Sequence, residues 1–139
     1  MTVFILPATE KDLMAVVKRC PYANDKAAIK LTREYFHRSA FSWAGLSDHQ
    51  PVCVYGLIAP SFLYDDAYLW LVVNDLVDKH QFSFVRHSQI EMRKMLVLFP
   101  RIVGHVLESE ERSKRWLRWQ GVKLGKRENG LISFELRSA

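Results

Sequence analysis

The residue types and spacing that most suggest binding chemistry occur at 113–125, S-K-R-W-L-R-W-Q-G-V-K-L-G. Cations interleaved with tryptophans can contact phosphates while the indole rings stack on bases or rest at a membrane interface. The same spacing is typical of a helix that packs on a sheet, because Trp116 and Trp119 are three residues apart and share a face. Arg115 and Arg118 then lie on a neighbouring, more exposed face. We interpret the segment as a helix that runs into a strand.

Histidines and cysteines are the other side chains that could bind a metal or act as a nucleophile. The five histidines are scattered, and no two are spaced i,i+4 beside a carboxylate as a zinc protease requires. Cys20 and Cys53 are too few for a disulfide framework. Cys53 lies in an apolar strand pattern, which favours a buried structural thiol over a nucleophile. We therefore predict no metal site and reduced thiols.

Length and composition predict one globular domain over residues 1–139, since this is near the usual domain size. Hydrophobic residues make up 49% of the chain and charged residues 25%, as in ordinary globular proteins. The net charge of +5 is mild and spread out, and no recognition-helix motif is present, so direct nucleic-acid binding is disfavoured. The sequence has no signal peptide and no apolar run of ~18 residues, which predicts a soluble protein without a membrane span.

Apolar periodicity and turn residues place these segments on a series of strands and helices. Residues 3–6 are predicted to form a strand, and Thr9 with Asp12 forms a capping-box pattern that opens a helix. Asn24 or Asp25 caps a second helix. The remaining predicted elements are, in order, a hairpin of 41–46 and 52–59, a central strand at 67–74, a helix over 83–99, a strand at 102–107, a helix that Ser109 caps and Gly121 ends, and a hairpin of 122–124 and 131–136 around Asn129-Gly130.

This order of elements resembles the GNAT superfamily of acyl-CoA N-acyltransferases over essentially the whole chain. The opening 5-ILPATEKDL-13 is similar to the first strand and first helix of that superfamily. The stretch 106-VLESEERSKRWLRWQGVKLG-125 looks like its fifth strand, last helix and entry into the sixth strand. The resemblance implies an α/β (α+β) fold with a mixed, mostly antiparallel central sheet flanked by about four helices.

A narrower resemblance is to small GNAT-like proteins of tailed bacteriophages. The compact size, the tryptophan in the central strand and the segment 112–122, R-S-K-R-W-L-R-W-Q-G-V, are its basis. Such a relationship implies an internal virion or DNA-ejection component. It also implies location in the host-cell cytoplasm, with packaging in the virion as the alternative.

The resemblance implies acetyl-CoA as cofactor, with its pyrophosphate at the start of the helix after the fourth strand. In the family this loop is written Q/R-x-x-G-x-G/A, because glycine lets the backbone approach phosphates closely. Here the matching stretch is 75-DLVDKHQFSFVRHS-88, which contains no glycine and in which Lys79, His80, Arg86 and His87 could meet phosphates instead. The residues implied in cofactor binding are Val73, Asn74, Lys79, Arg86, His87 and Ser88.

Acyl transfer to an amine also needs a base and an acid with suitable pKa values. By position in the family's site, the candidate bases are Glu108, His105, and Asn74 or Asp75. Many family members use a tyrosine of the last helix as the acid, but this helix has none, and the nearest hydroxyl is the weakly acidic Ser113.

Two function classes follow from the sequence. The first is an acyl-CoA-dependent N-acetyltransferase that acts on a small amine or a host protein. The second is a non-catalytic GNAT-shaped protein, either a phage virion component or a binder of a host protein. The glycine-free loop and the missing tyrosine favour the second class, whereas the fold itself favours neither.

Overall fold

The computed structural model describes residues 3–21, 23–59, 66–79 and 81–138. Its elements are, in chain order, β1 (Val3–Pro7), α1 (Glu10–Val17), α2 (Lys26–Arg38), β2 (Phe41–Ser47), β3 (Gln50–Ile58), β4 (Asp66–Val73), a 3₁₀ turn (Asp75–Lys79), α3 (Gln81–Leu98), β5 (Arg101–Leu107), α4 (Glu111–Trp119), β6 (Lys123–Glu128) and β7 (Leu131–Arg137). The strands form a seven-stranded sheet in the order β1-β2-β3-β4-β5-β7-β6. β4 and β5 pair in parallel, and β1–β2, β2–β3, β5–β7 and β6–β7 pair antiparallel. The predicted fold class is therefore confirmed.

The chain divides into two compact units. The first unit comprises Met1–Ile58 and Trp70–Gln81, and the second comprises Ala59–Leu69 and Phe82–Ala139. β4 begins in the second unit and ends in the first. The single domain over 1–139 stays a prediction.

The first unit begins with the predicted capping box. Thr9 Oγ1 accepts a hydrogen bond from the Asp12 backbone at 3.2 Å, and Asp12 Oδ2 accepts one from the Thr9 backbone at 3.0 Å. The helix α1 that follows buries Leu13, Val16 and Val17. Because these three residues recur at helical spacing, a single stripe of the helix contributes to the core of the unit.

The β2–β3 hairpin of the first unit turns on two residues, Asp48 and His49, both at positive φ (49° and 69°). This is the left-handed geometry that joins twisted antiparallel strands most closely. The sequence predicted a longer turn at 47–51, and the structure shortens it. Asp25, one of the two predicted caps, begins α2 by accepting from the backbone of Ala27 at 3.0 Å.

In the second unit, the β5–β7 ladder has one buried and one open face. Arg101 to Leu107 pair in register with Arg137 to Leu131. Ile102 and Val106 of β5 and Ile132 and Phe134 of β7 are buried. The alternate positions point to the opposite side of the pleat, where His105 and Leu107 are exposed. The β5–β7 ladder therefore has a solvent-facing side at these positions.

Helix α4 differs from the sequence prediction in how its tryptophans are placed. Trp116 is 8% exposed, whereas Trp119 is 45% exposed. Residues three apart on a helix are offset by about 60°, so only one of the two rings reaches the core. The N-cap is Glu110 rather than Ser109, which lies in the turn after β5. Gly121 ends the helix at φ 74°, as predicted.

Candidate active site

Asn74, predicted to bind the cofactor or act as a base, lies fully buried at the end of β4 in the first unit. Its Nδ2 donates to the carbonyl of Pro51 at 3.0 Å, and its Oδ1 accepts from the backbone of Leu76 at 3.0 Å. Its own backbone N–H donates to Val52 at 3.0 Å. Both ends of the amide therefore hold the backbone where β4 passes into the 3₁₀ turn.

The other candidates in the first unit lie close to Asn74 in sequence. Val73 is the half-buried last residue of β4, and Lys79 is exposed at the end of the 3₁₀ turn. Asp75 pairs with Arg19, whose Nε lies 2.8 Å from Asp75 Oδ1. His80 falls outside the described residues. The Asp75 carboxylate is thus already neutralised by a surface cation.

In the second unit, Ser88 connects two helices. Its hydroxyl oxygen accepts from Trp116 Nε1 at 2.9 Å and from Gln120 Nε2 at 2.6 Å. The same hydroxyl donates to the carbonyl of Val85 at 2.8 Å. Because these contacts use the hydroxyl as donor and as acceptor, Ser88 cross-links α3 to the end of α4.

The start of α3 is the segment predicted to meet the pyrophosphate. Its first turn, Q-F-S-F, carries no acidic residue. Arg86 is exposed and His87 is half-buried on the following turn. The first N–H groups of a helix carry partial positive charge, which a nearby carboxylate would offset. The cofactor-binding role of Arg86 and His87 stays a prediction.

His105 has a partner that sequence reasoning missed. The hydroxyl of Tyr68 on β4 lies 3.3 Å from His105 Nδ1, and the two rings are 5.8 Å apart at their centroids, tilted by 35°. The parallel register places Tyr68 beside Val103, so that its ring reaches His105 two residues further along β5. The sequence does show that Tyr68 lies between the apolar residues Ala67 and Leu69, so its side chain is expected on the opposite side of β4 from theirs. That pattern does not show that Tyr68 shares a side with His105, because this depends on the register of β4 and β5.

Carboxylates near this pair are held by arginines. Arg101 Nη1 donates to Asp66 at 2.7 Å, and Arg101 Nε donates to Glu135 at 3.1 Å. Arg137 also donates to Glu135. These hydrogen bonds, from Arg137 first and then Arg101, hold the pKa of Glu135 below its ordinary value, and those from Glu135 and Asp66 raise the pKa of Arg101. Glu135 is therefore a carboxylate fixed in its charged form and poorly suited to accept a proton near neutral pH.

Glu108 and Ser113, the other two predicted catalytic residues, have different surroundings. Glu108 follows β5, where its Oε1 accepts from Arg127 Nη1 at 3.1 Å and its backbone N–H donates to Gly130 at 2.8 Å. Ser113 is half-buried in the first turn of α4. Of the three, His105 is the one that the structure pairs with a proton-bearing hydroxyl.

The cysteines behave as structural thiols, as predicted. Burial raises the pKa of Cys53 to about 12, so its thiol stays protonated near neutral pH. Cys20 donates from Sγ to the carbonyls of Val16 and Val73, each at 3.3 Å.

Across the described residues, no group of three or more His, Cys, Asp or Glu side chains is arranged to hold a metal ion. Among the helices in the same part of the chain, none is long and apolar enough to cross a bilayer.

Comparison with known proteins identifies the fold. No family model matches the sequence, and no curated protein matches it. The PaiA N-acetyltransferase of Thermoplasma acidophilum in complex with coenzyme A is 13% identical with a TM-score of 0.67, covering 99% of this chain and 100% of that one. An acetyltransferase of the GNAT family from Streptococcus pneumoniae is 11% identical with a TM-score of 0.69, covering 99% and 100%. A chimera of spermidine N-acetyltransferase SpeG from Vibrio cholerae and hSSAT is 10% identical with a TM-score of 0.70, covering 99% and 96%. At such identities the likeness shows the GNAT fold alone.

Proposed function

We propose that the chain transfers an acyl group, in the simplest case acetyl, from acyl-CoA to an amine. The observation that carries the proposal is the contact between Tyr68 and His105, at 3.3 Å, on neighbouring parallel strands. An imidazole and a phenol supply the base and the acid that acyl transfer needs. The GNAT fold and its CoA-bound representative support the same reaction class.

The two side chains can move a proton as a unit. When His105 carries its proton on Nδ1 and donates to the Tyr68 oxygen, His105 Nε2 keeps a lone pair that can take a proton from an amine. In that tautomer the Tyr68 hydroxyl donates to an acceptor other than His105, and during the reaction we take that acceptor to be the departing sulfur. We call Tyr68 and His105 together the proton-relay pair.

Every bond and proton of the transfer can be accounted for with this pair. Bound acyl-CoA supplies a thioester, whose carbonyl carbon forms the new bond to nitrogen while its bond to sulfur breaks and the electron pair stays on sulfur. His105 Nε2 takes up the proton that the nitrogen loses. The proton on Nδ1 passes to the Tyr68 oxygen as the Tyr68 hydroxyl releases its own toward sulfur, so one proton moves from nitrogen to sulfur overall.

For the pyrophosphate we favour the start of α3 together with Arg86, because that turn lacks carboxylates. The hydrogen-bonding groups of Asn74 and Ser88 already bond within the protein, and we assign them to the fold rather than to the ligand. Val73, Lys79 and His87 stay sequence predictions for this role.

Calorimetry with acetyl-CoA and a thiol-release assay with an added amine test the proposal together. We expect saturable binding and turnover, and in His105→Gln a rate lower by about 10²–10⁴ with the binding heat preserved. His37→Gln, which changes an exposed histidine of α2, is the matched control and keeps the rate. Absence of binding at millimolar acetyl-CoA would overturn the proposal.

The phage relationship stays a prediction, and with it a non-catalytic role in a virion or on a host protein. The use of Asn74 and Ser88 in structural hydrogen bonds favours that second candidate, because a degenerate cofactor site has no need for open polar groups. Stoichiometric recovery of the protein from purified virions, combined with no heat on adding acetyl-CoA, would support this candidate over the enzyme.

A further inference from the structure

Two leucines lie on the open face beyond His105. Leu107 is two residues further along β5, and Leu131 of β7 is its direct cross-strand partner. Leu107 is 52% exposed and Leu131 is 39% exposed. Cross-strand partners project on the same side of a sheet, so the two side chains stand together in solvent. We call Leu107 and Leu131 the leucine pair.

The distance from His105 to the leucine pair could be spanned by a small apolar group. Residues two apart on a strand are about 6.7 Å apart, and directly opposed Cβ atoms are about 4.5–5.5 Å apart. Ser133, the partner of His105, completes the row on β7. An amine that delivers its proton to His105 can thus extend an apolar group of a few carbons over the leucine pair.

The charged residues around this face offer little attraction to a second cation on the acceptor. Asp66 and Glu135 are bonded to Arg101, and Glu108 is bonded to Arg127. A carboxylate that is already paired gains little from another cation.

The edge strand β6 places an acid and a cation on the side of the leucine pair. It carries Lys123, Lys126 and Arg127, all exposed, against one exposed acid, Glu128. Glu128 pairs with Leu131 and so lies two strand spacings from Leu107, about 10 Å away. Lys123 pairs with Glu135 and so projects on that same side, whereas Arg127 pairs with the buried Ile132 and leaves β6 from the other side. β6 therefore gives this side no net negative charge that would attract a polycation.

We infer that the acceptor is a primary amine with an apolar group next to it, rather than a polyamine or a lysine-rich segment. The inference rests on the proposed function and names the substrate class of the same site. Burial of the apolar group against the leucine pair removes carbon surface from water, which favours binding without any charge on the acceptor beyond its reacting amine.

The experiment compares phenethylamine with spermidine as acceptors for the 139-residue chain with acetyl-CoA. We expect kcat/KM to be about tenfold higher or more for phenethylamine than for spermidine. A tenfold ratio corresponds to the free energy of about one apolar side-chain contact. The double variant Leu107→Ser, Leu131→Ser should raise KM for phenethylamine about tenfold and leave the acetyl-CoA binding heat unchanged. Leu98→Ser, at an exposed leucine of α3, is the matched control and should change neither.

A second readout does not depend on turnover. Methyl resonances of Leu107 and Leu131 should shift when phenethylamine is added in the presence of CoA, which has no acyl group to transfer, and spermidine should leave them in place. Preference for spermidine that is lost in Glu128→Gln would overturn the inference while leaving the proposed function intact. Failure to bind acetyl-CoA at all would overturn both.

Discussion

Asn74 and His105 are both polar residues of the sheet region that the sequence nominated for the site, yet their surroundings differ. Asn74 is fully buried, and its amide bonds to the backbone of Pro51 and of Leu76. His105 is exposed and contacts the hydroxyl of a side chain, Tyr68. A polar group saturated by backbone serves the fold, because any rearrangement would strand buried donors and acceptors. A side-chain pair that faces solvent is not tied to the backbone in this way.

The same contrast separates two neighbours on α3. Ser88 is bonded to Trp116, Gln120 and the backbone, whereas Arg86 projects outward. Two residues close together in 75–88 thus have different surroundings, one bonded within the protein and one exposed to solvent. The contrast yields predictions that separate stability from catalysis.

The largest expected effect is on catalysis at the open face. Tyr68→Phe removes the proton that the proton-relay pair donates, so we expect kcat to fall by about 10²–10⁴. The free energy of unfolding should change by about 0.5 kcal/mol or less, since the hydroxyl contacts an exposed residue. Steady-state kinetics and urea unfolding measure the two quantities. Unchanged kcat would contradict the role of Tyr68, and Tyr35→Phe provides a control in α2.

Asn74→Ala should show the opposite behaviour. Loss of the amide leaves the carbonyl of Pro51 and the N–H of Leu76 without their partner, which costs about 2–4 kcal/mol of unfolding free energy. Urea denaturation measures it, with His105→Ala as the surface comparison expected within about 0.5 kcal/mol of the parent. A stability equal to that of the parent would show that Asn74 is not the structural residue we describe.

Ser88→Ala should give a smaller loss of the same kind. The indole of Trp116 and the amide of Gln120 lose their shared acceptor, at about 1–2 kcal/mol, while the heat of acetyl-CoA binding stays the same. Ser113→Ala is the matched control, with little effect on either measurement. A loss of acetyl-CoA affinity in Ser88→Ala without a loss of stability would contradict the structural role and would indicate that Ser88 binds the cofactor.

The smallest expected effect concerns pH. The pKa of Glu135 is lowered in the folded protein, chiefly by Arg137 and then by Arg101, so its ionised form adds stability above the ordinary glutamate pKa. That contribution should disappear as pH falls through the lowered pKa. Thermal melts from pH 7 to pH 3 should therefore show parent and Glu135→Gln converging at the acid end. Curves that stay parallel would contradict the assignment, and added salt should shrink the difference.

Local sequence signals predicted most of the fold. The capping box at Thr9, the Asn129-Gly130 turn and the exit at Gly121 depend on neighbours within a few residues, and the structure confirms each. The paired surfaces depend on register instead. Tyr68 and His105 are 37 residues apart, and only the β4–β5 alignment brings them together.

Burial and tertiary contacts at two positions could not be predicted from the sequence. Asn74 was nominated from its place at the end of a strand, but its contacts with Pro51 and Leu76 arise only when β3 and the 3₁₀ turn close around it. The exposure of Trp119 likewise depends on which side of α4 faces the core. The segment 113–125 is therefore a helix end with one buried ring and one exposed ring.

A double-mutant cycle tests the central claim most directly. Acetyl transfer to phenethylamine is measured for the parent, Tyr68→Phe, His105→Gln and the double variant, at constant acetyl-CoA. If the two residues move one proton as a unit, the double variant loses no more activity than the slower single variant. Losses that multiply would show that the residues act separately and would contradict the proton-relay pair.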